Sequence, residues 1–179
     1  WTFARQRQST LDHLREELQT LRDDLSISRR QTSVSDALLR SIEADLDAVD
    51  LDPDVRRRYR HEPYRVKLSA IDERLRRLSA SIDAAGLGDP MASQPEPDTV
   101  PDLSAIDTSY TAENLLDDLD VIADSLEAHG IEDAAHTGRL HRVRTLVKTF
   151  GFHLAALDIR QHSGVHESAV AALLRTAGV

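Results

Sequence analysis

The chain has 179 residues, of which 40% are hydrophobic and only 4% aromatic, so it can bury one domain core or two small ones, built from Leu, Ile, Val and Ala. It contains no cysteine, which excludes disulfides, thiolate catalysis and Cys-based zinc sites. Its net charge of -9 argues against a nucleic-acid binder, and no run of about 18 apolar residues exists to form a transmembrane helix.

The N-terminus lacks the charged-then-apolar pattern of a secretory signal, and a cytoplasmic protein is expected. Apart from Lys67 and Lys148 the cations are all Arg, and the acids are mostly Asp. Excess surface charge maintains solubility in a high-salt cytoplasm; GC-rich coding also favours Arg over Lys, and the composition fits both.

In chain order, Leu11, Leu14, Leu18, Leu21 and Leu25 alternate spacings of three and four, the seam of a packed helix. Ser35 is a good cap for a second helix carrying Leu38, Leu39, Ile42, Leu46 and Val49. Asp52-Pro53 is a cap followed by a proline suited to a first helical turn, and predicts a short basic helix over Arg56 to Arg60. That cluster reads as a solvated surface balanced by the preceding acids. Glu62-Pro63 opens a long helix with Tyr64, Leu68, Ile71, Leu75, Leu78 and Ile82 on one seam, ended by Gly86. Neither long seam sustains four clean heptads, so the pair predicts antiparallel helices of a domain core rather than a free coiled coil.

Four of the six prolines, Pro90, Pro95, Pro97 and Pro101, fall in the next stretch. The expected organisation is a helical region over 1–86, a Pro-rich linker or disordered loop over 87–110, and helices plus one strand over 111–179. Thr111 caps a helix bearing Leu115, Leu116, Leu119, Ile122 and Leu126, ended by His129-Gly130. A continuous helix is expected from about Asp133 to Phe150, and a last one from about Val165.

Between these two lies a nearly continuous apolar run, with Phe152, Leu154, Ala155, Leu157 and Ile159. It predicts one short strand over about 152–160, covered on both faces, in an otherwise mostly α chain. Asp158 and Arg160 stand at its C-terminal end, just before a turn. Ligands gather at such ends in α/β sheets and barrels, and an Arg fork suits carboxylate or phosphate. On the residues alone, a structural pair of Arg160 with a carboxylate is equally open. Gln161 could orient Arg160, and Asp158 shares its side of the strand. His162 and His166 are four apart, yet the Ser163-Gly164 turn interrupts a shared helical face, so a metal pair is not favoured.

The segment from Arg142 through Phe150-Gly151-Phe152, Asp158-Ile159-Arg160-Gln161 and Ser163 to His166 closely resembles phosphoenolpyruvate carboxylase. His61-Glu62-Pro63-Tyr64-Arg65, followed by a helix, is similar to a second segment of that family, in the same order. The resemblance implies that Arg160 helps hold the phosphate of phosphoenolpyruvate beside a metal ion, with Asp158 and Gln161 positioning it. It implies Mg²⁺ or Mn²⁺ in the parent enzyme, with no ion expected on this segment, and a homotetramer. The parent would carboxylate phosphoenolpyruvate with bicarbonate to oxaloacetate and phosphate, the strand being one of its barrel strands.

The family's catalytic His, metal-binding carboxylates and further phosphate-binding Arg residues have no counterpart here. The chain also opens on Trp1 rather than Met. The expectation is therefore an internal, catalytically silent fragment. The rival expectation is a non-enzymatic helical module that binds partners through its Leu seams.

Overall fold

The computed structural model describes residues 2–28, 33–85, 104, 106–153, 167, 170–171 and 174–175. Its helices are α1 (Thr2–Asp24), α2 (Asp36–Ala48), α3 (Pro53–Arg58), α4 (Pro63–Ala84), α5 (Ala112–Glu127), α6 (Glu132–His136) and α7 (Arg139–Phe150). Glu167, Val170, Ala171, Leu174 and Arg175 are also helical. Among the described residues there is no strand.

Local chemistry starts the helices where the sequence predicts. The Ser35 hydroxyl accepts from the Leu38 amide, and the Asp52 carboxylate accepts from the Asp54 amide ahead of Pro53. Thr111 and Asn114 exchange side-chain and backbone bonds in a reciprocal capping box. Gly130, just past α5, takes a φ of 75°.

The long apolar stripes bury where they meet. α1 packs along α4 and also contacts α7; α2 packs on α4 and α5; α5 packs on α6 and α7. Across the first pair Gln8 bonds Ser79, Arg15 bonds Asp72 and Arg22 bonds Ser69, so α1 and α4 run antiparallel. One core joins Leu11, Leu18, Leu75 and Leu78 to Leu115, Leu119, Leu140 and Val143, all at most 1% exposed. Helices from both sides of the Pro-rich stretch thus share that core. Tyr110, which closes the stretch, is 6% exposed, and the Asp107 amide donates to Ser81 Oγ.

Two expectations change. The helix foreseen from Asp133 to Phe150 is broken: α6 ends at Thr137, whose amide bonds Asp133, and Gly138 takes an extended backbone as the cap of α7. Gly is a poor helix former, and it lets the chain turn there although the apolar period continues beyond it. The strand does not begin at Phe152. Gly151, Phe152 and His153 form a turn after α7, and the His153 amide donates to the Phe150 carbonyl at 2.9 Å. The rest of the expected strand lies outside the described residues. Phe152 is 3% exposed and belongs to the helical core, so its apolar character serves the core rather than a sheet.

Candidate functional site

The least expected side chain in the core is Lys67, which is 0% exposed. The α4 turn that sets Tyr64 and Ile71 on the buried seam sets Lys67 between them. A buried ammonium persists only when paired and hydrogen-bonded. Lys67 Nζ donates to Ser41 Oγ at 2.6 Å, to Asp45 Oδ2 at 2.7 Å and to Asp118 Oδ1 at 2.5 Å, which uses its three protons. Ser41 and Asp45, four apart on α2, offer one face to it.

Arg74, two turns along α4, closes the cluster. Its Nη2 lies 2.6 Å from Asp45 Oδ1 and its Nη1 3.5 Å from Asp118 Oδ2. The Tyr110 hydroxyl donates to Asp118 Oδ2 at 2.7 Å, and the Arg74 guanidinium lies 5.2 Å from the Tyr110 ring centroid. Two cations and two carboxylates therefore balance where α2, α4 and α5 meet. Burial pushes the Asp45 carboxyl up, against the hydrogen bond and charge of Lys67 and the charge of Arg74. Burial, followed by the Asp118 carboxylate, raises the Tyr110 phenol far above its ordinary value, so it remains a donor.

Beside this cluster opens a cleft of about 510 Å³, lined by Arg74, Arg77, Asp107, Ser109, Asn114 and Asp117 among others. Its size suits a small molecule, but its walls mix polar with apolar groups such as Ala48 and Val49, and the charges on its inner side are mutually satisfied. Lys67, Asp45, Asp118 and Arg74 leave no free acid or base, and chemically the cluster is a clamp on three helices. Sequence reasoning missed it. The signal was a lysine, rare in this chain, flanked by Val66 and Leu68 on an apolar seam.

The His61–Arg65 segment forms a second junction. Pro63 opens α4, and Tyr64, 0% exposed, pairs its hydroxyl with Ser125 Oγ at 3.0 Å. Ser125 Oγ also accepts from the Ser35 amide at 3.0 Å, which ties the starts of α2 and α4 to α5. Arg65 donates to the carbonyls of Arg22 at 2.9 Å and Asp23 at 3.2 Å, groups that the end of α1 leaves without helical partners. Its guanidinium also lies 5.2 Å from the Tyr59 ring centroid and 3.3 Å from Glu62. The segment thus acts as a joint between helices, and among the described residues it faces no cluster that could hold an ion.

The third feature is the exit from α7. Gly151 has φ 57°, which L side chains rarely adopt, and a Cβ there would meet the Ala112 Cβ at 3.4 Å. Phe152 then plugs the core, with the Arg7 guanidinium 5.9 Å from its ring centroid. Chain beyond this turn carries the predicted site residues Asp158, Arg160 and Gln161. These, with His162 and His166, lie outside the described residues.

The model of the family described as phosphoenolpyruvate carboxylase matches residues 1–179. A phosphoenolpyruvate carboxylase of Rhodothermus marinus is 43% identical over 179 residues, which is 100% of this chain and 17% of that protein. One of Azoarcus sp. (strain BH72) is 38% identical over 177 residues, 98% of this chain and 17% of that protein. One of Azorhizobium caulinodans is 35% identical over 177 residues, with the same two shares. The chain spans about a sixth of the length of these curated relatives, or 17%. With the family pattern matched along its whole length, the chain belongs to the phosphoenolpyruvate carboxylase family.

Proposed function

We propose that this chain is the part of a phosphoenolpyruvate carboxylase that brings the Asp158-Ile159-Arg160-Gln161 block to the substrate. The parent enzyme would carboxylate phosphoenolpyruvate with bicarbonate, releasing oxaloacetate and phosphate. Arg160 would hold the substrate phosphate through charge-assisted bonds, and Asp158 and Gln161 would orient its guanidinium. The residues after His153 would run extended as one strand of the parent's barrel, and the packed helices would be the support behind it. The homotetramer and the cytoplasmic location implied by the resemblance belong to the same proposal.

One observation carries this reading: the family match runs from residue 1 to residue 179 and includes the block itself. The alternative of a stand-alone interaction module is not favoured, because the Leu seams it would offer are spent on the core. The family implies Mg²⁺ or Mn²⁺. Among the described residues no three His, Asp or Glu side chains come together to hold such an ion. One Arg does not supply phosphoryl transfer and carboxylation by itself, so the 179-residue chain alone should give no oxaloacetate.

The test uses a protein extended to the length of the curated relatives. Arg160→Ala should lower kcat/KM for phosphoenolpyruvate roughly 100-fold or more, equivalent to about 3 kcal/mol of lost transition-state binding, with the melting temperature unchanged. Undiminished use of phosphoenolpyruvate would reject Arg160 as the phosphate ligand.

A further inference from the structure

The proposed function leaves Arg7 of α1 unused. α1 lies beside α7 and ties it at both ends. At the start of α7, Glu17 accepts from Arg139 Nη1 at 2.9 Å and from Arg142 Nη2 at 2.8 Å, charge-assisted bonds that join the two helices. At the exit the contact is of another kind. The Arg7 guanidinium lies 5.9 Å from the centroid of the buried Phe152 ring, inside the ~6 Å reach of cation–π attraction. Arg7 Nε is buried without a hydrogen bond. Gln8 Oε1 and Arg22 Nε share that condition, but Gln8 and Arg22 bond Ser79 and Ser69 through another nitrogen. Arg7 makes no hydrogen bond or ion pair with a described residue. Burial lowers its guanidinium from the ordinary value, yet an arginine stays charged.

A buried donor without a partner costs stability, and a Leu or Met at this position would fill the space without that cost. Such local rules are broken where a function requires it. The ring that Arg7 meets follows Gly151, whose positive φ turns the chain as it leaves α7. Apolar contact is non-directional and holds a ring in place only. A cation over the face also holds its orientation, because the attraction is to the face. We propose that Arg7 is a positioning residue: it fixes the Phe152 ring and, through it, the direction of the chain that carries Arg160. The inference rests on the proposed role of Arg160 and asks no contact of Arg7 with substrate.

In a protein of the curated relatives' length, Arg7→Met keeps the apolar stem and removes the cation. It should lower kcat/KM for phosphoenolpyruvate roughly tenfold, chiefly through KM, with the melting temperature unchanged or raised. Arg7→Lys keeps a cation over the ring and should recover most of that loss. In the Arg160→Ala background, Arg7→Met should cost nothing further, since no guanidinium is left to aim. A merely structural role would instead lower the melting temperature and add its loss in both backgrounds. Full activity of Arg7→Met beside an impaired Arg160→Ala would overturn the positioning role and spare the Arg160 reading. An unimpaired Arg160→Ala would overturn that reading, and this inference with it. A lysine variant no better than the methionine one, additive losses, or an Arg7→Met protein that melts lower or fails to fold would each overturn the positioning role.

Discussion

The contact of α1 with α4 and the meeting of α2, α4 and α5 use the same long helix in opposite ways. On one side α4 gives Leu68, Leu75 and Leu78 to the Leu stripe of α1, and ion pairs such as Arg15–Asp72 lie at the margin. On the other it places Lys67 and Arg74 inward, against Asp45 and Asp118. The apolar side tolerates variation, because any side chain of suitable volume fills it. The ionic side depends on partners, because each charge taken from water is stabilised only by the others.

Removing Lys67 should break this contrast most sharply. Lys67→Ala leaves Asp45 and Asp118 with Arg74 as the one cation of the cluster, at a cost of roughly 3–5 kcal/mol, a large share of a small domain's stability. Urea denaturation followed by circular dichroism measures it; a loss under about 1 kcal/mol would mean that water relieves the carboxylates. On the apolar side, Leu75→Ala should cost about 3 kcal/mol, with the m-value unchanged. An equal loss at Leu75 and Lys67 would erase the distinction between the two contacts.

Acid titration separates buried from marginal carboxylates by sign. Glu17, bonded to Arg142 and Arg139, has its carboxyl held below the ordinary range, chiefly by the Arg142 hydrogen bond. Its stabilisation is present above the ordinary carboxylate value, about pH 4, and is lost as pH falls through the lowered one. Asp45 is shifted upward by burial, so its contribution is complete below that ordinary value and is lost as pH rises through the raised one. The destabilisation by Glu17→Gln should therefore shrink as pH falls from about 6.5 to about 3.5, and that by Asp45→Asn should shrink as pH rises over the same span. Urea midpoints at the two pH values check both; parallel trends would show that Asp45 behaves as a surface carboxylate.

The same division decides what could be foreseen from the residues. Ser35, Asp52-Pro53 and Thr111 carry their capping chemistry locally, and the Leu stripes have the helical period, so those starts and the buried faces were legible. The ionic meeting was not, because Lys67, Asp45, Asp118 and Tyr110 are scattered in sequence and only tertiary packing brings them together. The break at Gly138 was hidden by an apolar period that continues through Leu140 and Val143. Phe152 misled for another reason: an apolar residue next to an apolar run looks the same whether it starts a strand or ends a core. The block around Arg160 was found through its family resemblance; position alone left a structural pair equally open.

The turn at Gly151 and Phe152 has a mechanical corollary. If the residues after His153 run extended to Arg160, as proposed, they reach at most about 25 Å, and tilting their root by ~10° would sweep the tip by ~4 Å. That sweep exceeds the length of any hydrogen bond a guanidinium can make. Under that proposal, aim at the far end of such a lever would be governed at the fulcrum, by a residue without a side chain and an aromatic ring wedged beside it. A Gly151 replacement could thus misdirect a distant group while every atom of that group stayed chemically intact.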